Sequence, residues 1–155
     1  MQLLVFLLGV LTGLFGYIGA NFIVGPLLEY RKLVGRIGHK LTFYSHIIKS
    51  PGVNKRLADE GSEVLRDLAC ELESKYLVIP FRNIFTSTKL LIVQQDALDA
   101  KGEIMFLSNS LHDDNNKDNH DAWVKIYRLL KIPQFESLPT KSELLDKSLN
   151  AKDNK

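Results

Sequence analysis

At 155 residues the chain has room for one domain of ordinary size. Its 45% hydrophobic and 25% charged residues are close to a globular average, and a net charge of +2 speaks against nucleic acid as a partner. A lone cysteine, Cys70, excludes an intrachain disulfide framework and fits a reducing compartment.

The averages conceal an asymmetry. No side chain from Met1 to Leu28 is charged, and every charged residue falls between Glu29 and Lys155. Leu3 to Val24 is apolar apart from Thr12, Tyr17 and Asn21. As a helix it would reach roughly 33 Å, enough for a hydrocarbon core of about 30 Å. A cleaved signal peptide would want a basic start, a shorter apolar run and a small-x-small cleavage site, where this chain has Gln2, a long run, and Gly19 and Asn21. The segment 1–26 therefore reads as a transmembrane anchor. Gly9, Gly13, Gly16 and Ala20 fall on one face of it and form a candidate surface for packing against another membrane helix, its own copy or a partner's.

Arg31, Lys32, Arg36 and Lys40 follow the anchor, with no basic side chain before it. That bias predicts a translocated N-terminus and a cytoplasmic C-terminal domain at the cell inner membrane. The same four cations are candidate contacts for anionic lipid, although an ordinary topology determinant needs nothing more of them.

The remainder, 27–133, predicts an all-α cytoplasmic bundle of three long helices and one short one. In the first, Leu27, Tyr30, Val34, Ile37, Leu41, Tyr44 and Ile48 recur at helical spacing, and Ser50-Pro51-Gly52 ends it. Pro26 suits its first turn, and the helix is a candidate continuation of the anchor. Gly35 and Gly38 point to close packing with a neighbour or to a bend. The second helix is expected from an Asn54 cap to Lys75. Its core face is Leu57, Gly61, Val64, Leu68 and Leu72, widened by Leu65, Ala69 and Tyr76. Its acidic face, Asp59, Glu60, Glu63, Asp67, Glu71 and Glu73, reads as a solvated surface with intrahelical pairs Arg56–Glu60 and Glu71–Lys75 rather than as acid–base or metal chemistry.

Leu77 to Phe85 is apolar and interrupted by Pro80, an extended connector or a short helical turn laid over the bundle. The third helix is expected from Thr86 or Ser87 to Leu111, with Leu90, Val93, Ala97, Ala100, Ile104, Leu107 and Leu111 facing inward. Its charged residues bar it from lipid. A polar loop, His112 to His120, precedes a short amphipathic helix, Asp121 to Lys131, whose Trp123, Ile126, Tyr127 and Leu130 should close the core. The segment 134–155 reads as a flexible tail.

Few residues are spaced for chemistry. The loop with His112 and His120 lacks the glycine and ligand alternation of a calcium loop and the spacing of a helical zinc motif. His39 and His46 share a helix face but stand too far apart to bind one ion together. Cys70 is followed by Glu71 and Glu73, a poor setting for a thiolate. There is no phosphate-binding glycine loop and no nucleophile elbow, and no cofactor or metal is expected.

With these segments in view the chain resembles a group of uncharacterised bacterial single-pass membrane proteins. The resemblance rests on Pro26-Leu27-Leu28-Glu29-Tyr30-Arg31-Lys32-Leu33, Phe43-Tyr44, Ser50-Pro51, Arg56-Leu57-Ala58, Leu65 to Leu72, Ile79-Pro80 and Leu107 to Leu111. It implies location and general architecture and carries over no activity or site residue. The expected role is a membrane-tethered interaction or scaffold module holding an unknown cytoplasmic or membrane protein. The alternatives are a membrane-surface enzyme with a dispersed active site and a membrane-acting defence effector.

Overall fold

The computed structural model describes residues 2–52, 54–112 and 118–133; most of the 112–120 loop and the 134–155 tail lie outside these. The described residues are helical, with no strand among them. The apolar N-terminus forms α1 (Gln2–Gly19), passes through a π-helical segment (Ala20–Val24), and continues without interruption as α2 (Gly25–Phe43). The π segment has a local cause. A proline inside a helix removes one hydrogen bond and its ring presses on the carbonyl four residues back. Just before Pro26 the ladder widens, and the Gly25 N–H reaches Ala20 O.

Along α2 the buried residues are Tyr30, Leu33, Ile37, Gly38 and Leu41, with Leu27 and Val34 packed at the margin. The helix breaks at Tyr44, and a short α3 (Ser45–Lys49) buries Ile47 and Ile48. Gly52, at φ 81°, supplies the left-handed turn residue before the next helix. In α4 (Lys55–Val78) the Asn54 side chain accepts the Leu57 N–H at 3.1 Å, capping the first turn as expected. Pro80 sets the other end, because the residue before a proline is driven out of the helical region; Ile79 is extended, at φ −67° and ψ 118°.

α4 runs antiparallel to α2. Lys75 meets Glu29 at 2.8 Å, Glu71 meets Arg36 at 2.6 Å, and the Tyr44 hydroxyl donates to Glu60 at 3.3 Å. The expected intrahelical Glu71–Lys75 pair is thus replaced by two bridges between helices. The core face of α4 is also turned slightly from the expected one. Ala58, Leu65 and Ala69 are buried, while Leu57 and Val64 are only half so.

The apolar connector contains the short helical turn, and the expected third helix begins later than its spacing predicts. α5 (Arg82–Ser87) stops at Lys89, which takes the left-handed conformation at φ 58°. Lys89 N–H bonds Thr86 O and Leu90 N–H bonds Phe85 O, the paired closure that ends a helix with one left-handed residue. The chain then buries Leu91 and Ile92 instead of Leu90 and Val93, and α6 begins only at Gln94, running to Ser110.

α6 packs along α4, with Ser108 Oγ donating to Ser62 O at 2.9 Å in the buried seam. α7 (Asn119–Leu129) lies on α6 and touches α3. Its Trp123, Ile126 and Tyr127, with Leu130 just beyond, close the core as expected. Lys131, at φ 53°, ends α7 with the same closure used by α5, and the following Ile132 packs onto α2 at Gly38. Gly38 therefore serves close packing; Gly35 has no atom within 4 Å of where a Cβ would stand.

Candidate functional site

Every described side chain of α1 is exposed except at Gly19, which is intermediate, although the helix carries mainly leucine, valine, phenylalanine and isoleucine. Among the described residues, the helix Val5–Phe43 is long and apolar enough to cross a membrane. Two polar side chains of its apolar half bond back to the helix backbone. Thr12 Oγ1 donates to Leu8 O at 2.8 Å and Asn21 Nδ2 to Tyr17 O at 3.0 Å. Such closure is what a hydrocarbon surrounding demands, since lipid offers no hydrogen bonds. Gly9, Gly13, Gly16 and Ala20 lie exposed on this helix, and nothing stands within 4 Å of a Cβ built at the three glycines.

The four basic residues after the anchor do not form one free patch. Arg31 donates to Leu90 O at 3.2 Å, which ties α2 to the turn after α5. Arg36 is held by Glu71, and the Lys40 ammonium lies 5.6 Å from the Phe43 ring centroid. Lys32 is exposed. Glu29 faces Lys75 on α4, at 2.8 Å. The hydrogen bond and charge of Lys75 hold its carboxyl below the usual glutamate range, and Glu29 in turn raises the Lys75 ammonium.

A groove of about 900 Å³ is open and runs between α4 and the end of α6, lined by residues that include Asp59, Ser62, Arg66, Cys70, Asn109 and His112. Two pairs of its polar groups meet: Arg66 donates to Asn109 Oδ1 at 3.1 Å, and His112 Nδ1 is 3.7 Å from Asp59. Lys101, whose charge reaches Cys70, is taken up by Glu73 at 2.6 Å. No group of three His, Cys, Asp or Glu side chains able to hold a metal occurs among the described residues. The arrangement offers no positioned nucleophile with its base.

One feature of the surface was not legible from residue spacing. The apolar run from Leu77 to Phe85, which begins in the last two residues of α4, does not lie face-down over the bundle. Leu77, Val78, Phe81 and Ile84 are exposed, and only Ile79 is buried, with Phe85 half so.

These observations define an all-helical protein in which one exposed apolar N-terminal helix passes directly into a small bundle. Compared with known proteins, the chain matches no family model, no curated protein and no solved structure.

Proposed function

We propose that the protein is a membrane-tethered helical interaction module, with α1 spanning the inner membrane and the bundle held on the cytoplasmic face to engage another protein. The observation that carries the reading is the exposure of nearly every described side chain of α1, while α2, α4, α6 and α7 beyond it bury a shared apolar core. A water-exposed surface of that size and composition is costly unless lipid or protein covers it. The cytoplasmic orientation rests on Arg31, Lys32, Arg36 and Lys40 following the anchor. Enclosed titratable clusters would favour an enzyme; the groove beside Cys70 is open and internally paired, which favours the module.

A paired fusion after Lys155 tests the location. A cytoplasmic reporter should be active and an alkaline-phosphatase fusion silent, with the protein in the membrane fraction after carbonate washing. Phosphatase activity overturns the orientation, and release by carbonate overturns the anchor. Crosslinking in membranes followed by mild-detergent purification should then yield a specific protein partner, lost when the bundle is deleted and the anchor kept.

A further inference from the structure

The antiparallel pairing of α2 and α4 brings the end of α4 to the level of the anchor. Lys75 bridges to Glu29, so at about 1.5 Å per residue Val78 stands about one turn nearer α1, level with Pro26. α5 turns across this end of the bundle before α6 leads away again, antiparallel to α4. Here the chain shows Leu77 at 53%, Val78 at 66%, Phe81 at 64% and Ile84 at 60% exposure.

Phe81 adds a second observation. It holds the left-handed backbone conformation, φ 50° and ψ 36°, which bulky residues rarely adopt. Its side chain is 64% exposed, so packing among the described residues offsets little of that strain. Charge agrees with the geometry. From Tyr76 to Gln95 the chain contains Arg82 and Lys89 and no acidic residue. Apolar side chains, nearby cations and a short polar helix are the composition of a segment lying in a membrane interface.

We infer that Leu77, Val78, Phe81 and Ile84 enter the headgroup boundary of the bilayer that α1 crosses, giving the bundle a second contact with anionic lipid. The inference rests on the membrane reading of α1. The α1–α2 helix has no loop between anchor and bundle, so this end cannot drift from the surface.

The test uses the full chain with Cys70→Ser and single spin labels at Val78→Cys, Phe81→Cys, Ile84→Cys, Leu7→Cys and Glu63→Cys. Each is reconstituted in phosphatidylethanolamine–phosphatidylglycerol vesicles, with circular dichroism confirming equal helicity. Collision with oxygen should exceed collision with a water-soluble nickel chelate at Leu7, Val78, Phe81 and Ile84. The ratio should reverse at Glu63, about 22 Å along α4 from Val78. Lipid exposure at Leu7 with water exposure at the other three overturns this inference alone. Water exposure at Leu7 overturns the membrane reading with it. Labels at Phe81 and Ile84 shielded from both reagents and broadened by a neighbouring label overturn it in favour of a second copy.

Discussion

The Tyr127 hydroxyl lies 2.9 Å from the Gly38 carbonyl oxygen, 89 residues away in the chain, and 2.9 Å from Thr42 Oγ1. The Thr42 hydroxyl also bonds Gly38 O at 2.9 Å, so three polar groups close on one another where α7 crosses α2. Burial raises the tyrosine above its usual range, with the Thr42 contact opposing that shift. A Cβ at Gly38 would stand 3.4 Å from two Ile132 carbons and 3.9 Å from Tyr127 Cε1, so these side chains pack directly on the bare backbone there.

Tyr127→Phe should destabilise the full chain in detergent by about 1 kcal/mol, since Thr42 still serves the carbonyl. Thr42→Val alone should have a similar small effect. The double variant should lose more than the sum by about 0.5 kcal/mol or more, because the exposed edge of the carbonyl then has neither hydroxyl. Thermal melts of the four proteins check this, and strict additivity would count against the closed triad.

Two glycines should respond to substitution with opposite signs. A Cβ at Gly61 would stand 3.1 Å from Ile47 Cδ1, 3.2 Å from Leu111 Cδ1 and 3.3 Å from Tyr44 Cδ1, all on buried side chains. Gly61→Val should therefore destabilise by about 1–3 kcal/mol through overpacking. Gly102, in the middle of α6, has nothing within 4 Å. Gly102→Ala should stabilise by about 0.5–1 kcal/mol through backbone entropy and helix propensity. Melting temperatures moving the same way for both would contradict the packing of α3 and α4.

The Glu29–Lys75 bridge predicts a pH signature. The glutamate titrates below its ordinary 4.5 and the lysine above its ordinary 10.5. The glutamate contribution is present above the unfolded value and lost as pH falls through the lowered folded one. The lysine contribution is present below its unfolded value and lost as pH rises through the raised one. Wild type should exceed Glu29→Gln in melting temperature by a small, constant margin between about pH 6 and 9, closing at both extremes. Both partners are exposed, so added salt should shrink the margin. A margin indifferent to pH would place the effect elsewhere.

For the anchor, Gly13→Ile should preserve membrane insertion and weaken association in a membrane two-hybrid assay. An isoleucine there blocks the close backbone approach that a small-residue face permits. Leu11→Ile, on the other face, should behave as wild type. Equal signals from all three proteins would remove the stripe of Gly9, Gly13, Gly16 and Ala20 from consideration.

Periodicity revealed most of the long helices because each buries a continuous stripe: Tyr30 to Leu41, Leu65 to Tyr76, and Ala97 to Leu107 follow helical spacing. The Asn54 cap was legible for the same local reason. What escaped depends on long-range position. Glu71 and Lys75 are spaced for a bond within α4, yet Arg36 and Glu29 are nearer partners once α2 lies alongside. The break between α5 and α6 escaped because its left-handed residue is Lys89, where such a stop is usually glycine or asparagine. At the candidate site, the long apolar helix was legible from 28 residues without a charged side chain. The outward apolar end of α4 did not, because an apolar run looks the same whether it faces a core or the surroundings.

The unbroken passage from α1 into α2 makes the bundle the arm of a lever. α2 spans 19 residues, about 28 Å. With α1 seated in a bilayer as proposed, a tilt of about 20°, ordinary for such helices, swings Phe43 sideways by about 10 Å. A thinner bilayer increases the tilt, and a thicker one brings the arm upright. Membrane thickness would thereby set how far from the surface, and over which patch of it, the distal end of the bundle is held.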